Sequence, residues 1–267
     1  MRAGVSVIIP CYRCAATIRR AVASVADQTL LPEEILLIDD FSDDGGATLA
    51  ALEGLQREFG ETVRILILRL QENGGPGTAR NAGWEKANQP YLAFLDADDA
   101  WHPKKIEIQY GWMKAHPEVA LSGHRSLGLD SGSAMPDVCE APDSCSIGPK
   151  DMLVSNRFPA RSVMLKRDLP FRFEPGKRYA EDYLLWLSIV LSGARTAFLS
   201  APLAFAYKSD FGEGGLSGAM WKMEKGELDT YRRLRRRGFI SFATWMGLAA
   251  LSLVKFARRL ALRGTTT

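Results

Sequence analysis

The chain has 267 residues, 46% of them hydrophobic, which suits one α/β domain with a sizeable core, alone or with an appendage. The formal net charge of +3 is too small to demand a nucleic-acid partner. Four cysteines are too few for a disulfide scaffold, and we expect free thiols although Cys11 and Cys14 form a C-x-x-C pair. The first apolar run, residues 5–9, is too short for a signal peptide, so we expect the protein in the cytoplasm.

Short apolar runs alternate with amphipathic segments in the first half of the chain. The runs cover residues 5–9, 35–38, 64–68 and 91–95. Because strands that are apolar throughout are buried on both faces, this alternation predicts an α/β fold with an open, Rossmann-like, mostly parallel sheet covered by helices. Ligands of such sheets bind beyond the carboxyl ends of the strands, and polar clusters follow each run here.

Three carboxylates follow the fourth run: Asp96, Asp98 and Asp99. Side chains alternate along a strand, so Asp96 and Asp98 project the same way and can share one ion, while Asp99 begins a turn. Hard carboxylate oxygens without nearby His or Cys favour Mg²⁺ or Mn²⁺ over zinc. The competing interpretation is a solvated turn in which an Asp caps the helix that opens at Pro103. It explains poorly why Asp96 follows Leu95 directly.

Two further carboxylates, Asp39 and Asp40, follow the second run at the same predicted sheet edge. An Asp there can accept hydrogen bonds from a ribose hydroxyl or from the imide N–H of uracil. The alternative is an Asx turn that begins the next helix, with Ser42 and Asp43 as capping candidates. The acidic end of the fourth run favours the ligand interpretation.

A glycine-rich segment, residues 73–83, opens a helix and carries Arg80 about one turn in. Its glycines permit close backbone approach, and a helix N-terminus with Arg80 favours an anion, although an ordinary capped helix explains the segment equally well. Later in the chain, Glu181 and Asp182 begin an aromatic and aliphatic helix. They complement the helix dipole, or one of them is a general base with a raised pKa.

The second half is less regular. Residues 122–149 lack periodicity and predict a variable surface loop. Predicted strands at 162–165, 196–199 and 203–207, with a helix at 179–191, suggest a smaller mixed sheet beside the first one. From residue 220 onward the sequence is helical and basic.

Taken in order, these motifs resemble those of family 2 glycosyltransferases with a GT-A fold. The resemblance spans about residues 5–190 and is carried by residues 5–12, 39–44, 74–83, 94–101 and 181–182. It implies an inverting transferase with a UDP-sugar as the expected donor. We accordingly assign residues 1–218 to a catalytic domain and residues 219–267 to a basic, apolar helical extension.

The resemblance also implies roles for single residues. Asp98 would be the main ligand of Mn²⁺ or Mg²⁺, and Asp96 would complete the DXD pair nearer the ribose or a metal-bound water. Asp39 and Asp40 would hold the base and its ribose, and Asp182 would be the catalytic base. The other expected donor-binding residues are Pro10, Tyr12, Gly75, Arg80 and Lys208.

Two departures from the family pattern stand out. Many relatives carry a His in the loop after the last strand, whereas residues 207–217 contain none, and Lys208 is the expected replacement as a point charge on phosphate. Ser188 stands where relatives often have Arg. Neither departure touches the metal pair or the base, but together they weaken the inference of activity.

The extension raises a separate question. Residues 239–254 carry no charge and are flanked by arginines, but they fall short of the roughly 20 residues needed to span a bilayer. Interfacial attachment to anionic lipid is one interpretation. A helix packed on its own domain or on a partner subunit is the other.

We therefore expect an enzyme, peripheral at the inner face of the cell membrane, that extends a lipid-linked glycan or surface polysaccharide. The main alternative is a catalytically silent nucleotide-sugar-binding or scaffold module. A nucleotidyltransferase is disfavoured because residues 10–14 do not resemble its Gly-rich, basic loop, and nucleic-acid binding through the arginines is weaker still. Acceptor specificity is expected in residues 122–149 and 212–218.

Overall fold

A computed structural model describes residues 1–130, 133–139, 141–207 and 220–264, with side chains up to residue 259. The strands are β1 (Ala3–Cys11), β2 (Pro32–Asp39), β3 (Arg64–Arg69), β4 (Tyr91–Phe94), β5 (Asp99–Trp101), β6 (Val119–Gly128), β7 (Ser144–Ser146), β8 (Met164–Lys166) and β9 (Arg195–Ala206). The helices are α1 (Ile18–Ala26), α2 (Ala47–Phe59), α3 (Pro76–Lys86), α4 (Lys105–Ala115), α5 (Pro149–Val154), α6 (Glu181–Leu191), α7 (Met220–Arg236) and α8 (Phe242–Gly264). A short 3-10 helix covers Ala160–Ser162.

The parallel half of the sheet has the strand order β3-β2-β1-β4. Its register pairs Cys11 with Asp39, and Asp39 in turn with Arg69. The carboxyl ends of β1, β2 and β3 therefore lie side by side. This arrangement brings the polar segments that follow the first three apolar runs to one edge, as the sequence predicts.

The mixed half continues the same sheet. β8 is antiparallel to β4 and to β6, β6 is parallel to β9, and β5 and β7 are both antiparallel to β9. The expected second sheet is thus an extension of the first one, and together they form one nine-stranded sheet in the described residues. Continuity arises because β8 pairs with β4 on one side and β6 on the other.

Two local predictions were wrong. The expected surface loop at residues 122–149 begins inside β6, whose polar residues Ser122 and His124 are fully buried and disguise the strand pattern. The two strands expected at 196–199 and 203–207 form the single strand β9, which stays paired through the irregular register around Pro202.

Alternating side chains send the sheet's apolar residues to two cores. Val7 and Ile9 of β1 pack in one core with residues of α1, α2 and α4, such as Val22. Ile8 of β1 packs in the other core with α3, α6 and α7, where Trp186 is completely buried. Helices on both faces explain why the strands are apolar throughout.

The C-terminal helices pack onto the domain. Tyr231 and Leu234 of α7 and Leu248 of α8 are buried in the same core as α6. Helices α7 and α8 form a C-terminal helical hairpin. The interpretation that the extension packs on its own domain holds for the side of this hairpin that contacts the core around α6. Among the residues that the structure describes, no helix is both long and apolar enough to cross a bilayer.

Candidate active site

The glycine-rich loop before α3 is held by Asp40. The two oxygens of its carboxylate accept hydrogen bonds from the backbone N–H groups of Gly74 and Gly75, both at 2.8 Å. Burial raises the pKa of Asp40, although these two hydrogen bonds oppose the shift. Gly75 has a φ of +84°, which side-chain-bearing residues rarely adopt, so the sequence needs glycine there. Asp40 and Gly75 thus set the shape of the loop at the sheet edge.

Asp39 makes the Asx-type contact that the alternative interpretation predicted. Its Oδ1 accepts a hydrogen bond from the backbone N–H of Ser42 at 3.1 Å. Its Oδ2 lies 3.3 Å from Nε of Arg69, and the residue is only 1% exposed. Neither Ser42 nor Asp43 caps α2, whose N-cap residue is Gly46. Asp44, two residues earlier, accepts a hydrogen bond from the backbone N–H of Thr48 at 3.1 Å.

Tyr12 projects from the loop after β1 and is 44% exposed. Its hydroxyl donates to Asp43 at 3.0 Å, and Arg13 donates to the same carboxylate at 2.5 and 2.6 Å. The hydrogen bonds from Arg13 and then from Tyr12 lower the pKa of Asp43 to about 2. Pro10, at the end of β1, is partly buried. The loop is therefore tied to the second strand end while the Tyr12 ring stays accessible.

Arg80 joins two motifs that lie far apart in the sequence. Its Nη2 donates to Asp96 Oδ1 at 2.6 Å, and its Nη1 donates to Glu181 Oε1 at 2.8 Å, across 101 sequence positions. Arg80 is 4% exposed and lies 5.4 Å from the Phe173 ring centroid. Burial alone would lower the pKa of Arg80, but Asp96 and Glu181 raise it above its ordinary value. The guanidinium is thus permanently charged and spans both motifs.

Glu181 and Asp182 have different surroundings. Glu181 is buried against Arg80, and its burial, followed by the charge of Asp182, raises its pKa to about 7. Asp182 is partly buried and lines a pocket of about 360 Å³. It accepts hydrogen bonds from Asn156 Nδ2 at 3.2 Å and from the backbone N–H of Tyr183 at 2.7 Å. Burial raises the pKa of Asp182 as well. Only Asp182 of the two lines the pocket.

The three carboxylates after β4 also separate. Asp99 is buried, opens β5 and lies 3.3 Å from Arg161, and burial followed by the charge of Asp96 raises its pKa to about 8. It does not cap α4, which has no side-chain cap. Arg20 of α1 donates to the backbone oxygen of Asp98 at 2.5 Å. Arg20 also lies 3.9 Å from the ring centroid of Tyr207.

Several known proteins have sequences similar to this one. The profile of the family described as "Glycosyl transferase family 2" matches residues 6–139. TuaG of Bacillus subtilis (strain 168), named as a teichuronic acid biosynthesis glycosyltransferase, is 31% identical over 243 residues, which cover 90% of this chain and 92% of that protein. The chain belongs to glycosyl transferase family 2. The family expected from the ordered motifs is confirmed.

A second relative and one solved structure are similar to most of this chain. WfgD of Escherichia coli, named as a UDP-Glc:alpha-D-GlcNAc-diphosphoundecaprenol beta-1,3-glucosyltransferase, is 30% identical over 186 residues, 70% of this chain and 69% of that protein. The mannosyltransferase PcManGT from Pyrobaculum calidifontis, solved with GDP-Man and Mn²⁺, superimposes with a TM-score of 0.67 at 17% identity, over 100% of this chain and 76% of that one. The expected GT-A fold is confirmed.

The glycosyltransferase has carboxylates that fit a divalent cation shared with a diphosphate. Among the described residues, no group of three or more His, Cys, Asp and Glu could hold a metal alone. Mg²⁺ and Mn²⁺ need no such cage, because one or two carboxylates and substrate phosphates complete their coordination. Asp96, whose Oδ1 already binds Arg80, and Asp98 are both partly buried.

Sequence inspection missed two arginines of the glycosyltransferase. Arg20 and Arg161 hold the backbone and side chain of the acidic turn, but each is a single basic residue in an ordinary local context and gives no signal. The expected phosphate contact, Lys208, and the expected acceptor segment, residues 212–218, lie outside the described residues. Ser188 is buried in α6, where its hydroxyl donates to the backbone oxygen of Leu184 at 2.8 Å.

Proposed function

We propose that this glycosyltransferase is a metal-dependent inverting enzyme that transfers a sugar from a UDP-sugar to a hydroxyl of a lipid-linked glycan or surface polysaccharide. The observation that carries the proposal is the bridge from Asp96 through Arg80 to Glu181, the neighbour of Asp182. A single buried guanidinium holds Asp96 to the acidic start of α6. Donor diphosphate and acceptor hydroxyl would therefore meet in one preorganised site.

The donor would lie across the carboxyl ends of β1, β2 and β3. In this proposal Tyr12 covers the uracil, Asp39 binds the base or ribose, and Asp40 acts with Pro10 and Gly75 by shaping the loop against which the nucleotide packs. The exposed Tyr12 ring and the close register of the strand ends support this placement. The name of WfgD, which includes UDP-Glc, supports UDP over other nucleotides.

Asp98, aided by Asp96, would hold Mn²⁺ or Mg²⁺. When bound, such a cation would neutralise the charge that grows on the departing diphosphate. The PcManGT complex with Mn²⁺ supports a divalent cation for this fold. We propose Lys208 as an additional point charge on phosphate, in place of the His of many relatives.

Asp182 would act as the general base. It would take the proton of the acceptor hydroxyl while that oxygen forms a bond to the anomeric carbon, and the bond from this carbon to the UDP oxygen would break on the opposite face. A single displacement of this kind inverts the anomeric configuration. The pocket at Asp182 and its raised pKa support this role, because a base works best when its pKa approaches the working pH.

The acceptor class follows from the relatives' names. TuaG is named for teichuronic acid biosynthesis, and WfgD for transfer to a diphosphoundecaprenol-linked GlcNAc. We propose a glycan or glycolipid acceptor and a working place on the inner face of the cell membrane. Residues 1–218 would carry the donor site and base, and residues 219–267 would extend them towards the acceptor.

Removal of the proposed metal ligand tests this function. With UDP-glucose and UDP-N-acetylglucosamine as donors and a GlcNAc-diphospho-lipid as acceptor, we expect transfer that requires Mn²⁺ or Mg²⁺ and that stops in Asp98→Ala. Glu53→Ala, on the exposed side of α2, is the matched control and should keep wild-type turnover. Full turnover of Asp98→Ala in the presence of a chelator would contradict the metal role. Donor binding without turnover in the wild type would indicate a silent binding module instead.

A further inference from the structure

Helix α8 has one covered face and one open face. Leu248 and Ser252 face α7, and the hydroxyl of Ser252 donates to Glu224 at 2.6 Å. On the opposite side, no exposed residue from 242 to 257 is charged. The largest exposed side chains there are Phe242, Met246, Leu251, Leu253 and Val254. Phe242 is 54% exposed and Val254 is 67% exposed, so this face presents apolar surface to solvent, with Arg235 at its edge 4.7 Å from the Phe242 ring centroid.

The surroundings of this face are basic. Residues 220–264 contain eleven Lys or Arg against three Asp or Glu, whereas the entire chain has a net charge of +3. Seven of the cationic residues are exposed: Lys222, Lys225, Arg232, Arg235, Arg236, Arg237 and Arg258. Arg237 also pairs with Glu174. An apolar helix face with cations around it matches the interface of a bilayer with anionic headgroups.

The acidic residues of the hairpin do not cancel this charge at the surface. Glu224 is buried and bonded to Arg259 at 2.9 Å. Glu227 accepts a hydrogen bond from the Tyr231 hydroxyl at 2.9 Å. The third, Asp229, pairs with Lys177 and Arg233. All three carboxylates are engaged by hydrogen bonds or ion pairs within the protein, and Glu174 pairs with Arg233 and Arg237 beside them. The Lys and Arg residues around α8 still outnumber these four acidic residues.

A second copy of the chain fits this surface less well. A two-fold dimer through α8 would bring two sets of exposed arginines together, and like charges across an interface oppose association. An anionic bilayer instead satisfies the apolar face and the cations at once.

We propose that α8 docks on an anionic lipid bilayer, with Phe242, Met246, Leu253 and Val254 in the interfacial layer and the surrounding Lys and Arg on the headgroups. Docking has a consequence for catalysis that rests on the proposed function. Lys255 of α8 donates to the backbone oxygen of Val154 and lines the same pocket as Asp182. The docked helix would therefore hold the base beside the membrane surface, where a lipid-linked acceptor presents its sugar.

Vesicle sedimentation tests the docking without any nucleotide or turnover. The full chain is mixed with vesicles of phosphatidylglycerol and phosphatidylcholine in equal parts, or of phosphatidylcholine alone, at low salt. We expect wild-type protein to sediment with the anionic vesicles and to be released by salt. Met246→Glu/Leu253→Glu should weaken this binding by about tenfold or more, since it places two carboxylates in the interface.

Matched variants keep the test decisive. Ala47→Glu/Ala50→Glu adds the same charge on the exposed side of α2 and should bind vesicles like the wild type. Arg236→Gln/Arg258→Gln removes two exposed cations without altering the apolar face and should weaken binding to anionic vesicles only. Circular dichroism and UDP-sugar calorimetry, unchanged in all variants, would establish that folding and the donor site are intact.

Three results would overturn the proposal. The first is no binding of the wild-type protein to anionic vesicles, and the second is binding of Met246→Glu/Leu253→Glu equal to that of the wild type. The third is a wild-type dimer in light scattering that this variant abolishes, with no vesicle binding by either protein. Loss of sugar transfer with vesicle binding retained would instead contradict the proposed function alone.

Discussion

Charged residues have opposite environments at the acidic sheet edge and in the C-terminal hairpin. At the sheet edge, Arg80 is buried and paired with Asp96 and Glu181. In the hairpin, exposed cations such as Arg236 and Arg258 surround an apolar face. Buried, paired charges resist rearrangement and suit a site that must keep its geometry. Exposed charges are screened by salt and suit a reversible surface contact.

The largest effect is expected when the buried bridge is broken. Arg80→Gln removes the cation between two carboxylates and leaves Glu181 buried without its partner, so the free energy of unfolding should fall by about 3–5 kcal/mol. Urea unfolding monitored by Trp fluorescence measures this loss. UDP-sugar turnover should fall as well, because Asp96 and Glu181 would no longer be held together.

Arg80→Lys separates charge from geometry at the same position. Lysine keeps the positive charge but lacks the fork that reaches Asp96 and Glu181 at once. We expect it to recover part of the stability and little of the turnover. Wild-type turnover in Arg80→Lys would show that charge alone suffices and that the bridge does not align the two motifs.

An intermediate effect is expected on the pH dependence of turnover. In the proposed role Asp182 acts as a base only when it is deprotonated, and burial raises its pKa above that of an ordinary Asp. Turnover should therefore fall as the pH drops through this raised value, at a higher pH than an unperturbed Asp with a pKa of about 3.9 would give. A profile of kcat against pH with saturating metal measures this. An acid limb at the ordinary Asp value would contradict the raised pKa.

The smallest effect is expected on the stability of the hairpin surface. Met246 is 53% exposed, so Met246→Glu should change the free energy of unfolding by no more than about 0.5 kcal/mol. Urea unfolding in the absence of lipid measures this change in the free energy of unfolding, with Arg80→Gln as the comparison. A loss comparable to that of Arg80→Gln would mean that the α8 face is part of the packed core, and the contrast between the two regions would fail.

The sequence predicts those features whose signal is local. Each of the four parallel strands contains a mainly apolar run, and Asp39, Asp40 and Asp96 follow two of these runs directly, so the sheet edge is recognisable without coordinates. Strand β6 was not predicted because Ser122 and His124 interrupt its apolar pattern, although both are buried. A buried polar residue with local hydrogen bonds carries no periodic signal.

Contacts between residues far apart in the chain could not be predicted from the sequence. Arg80 reads as part of an anion-binding helix start, and Glu181 reads as a residue that complements a helix dipole. Each local explanation is sufficient, so nothing indicates that they bind each other across 101 positions. In the same way, the uncharged stretch of α8 is visible in the sequence, but only packing shows which face α7 covers.

The most direct test of the proposed catalytic site is Asp182→Asn, which keeps the side chain's size but removes the base and one of the two oxygens that accept hydrogen bonds from Asn156 and Tyr183. Calorimetry with UDP-sugar and Mn²⁺ should show wild-type binding, while kcat for transfer to the lipid-linked acceptor should fall by about 10²–10⁴-fold. Wild-type transfer by Asp182→Asn would contradict the account, because Asp182 would then not be the base that we propose.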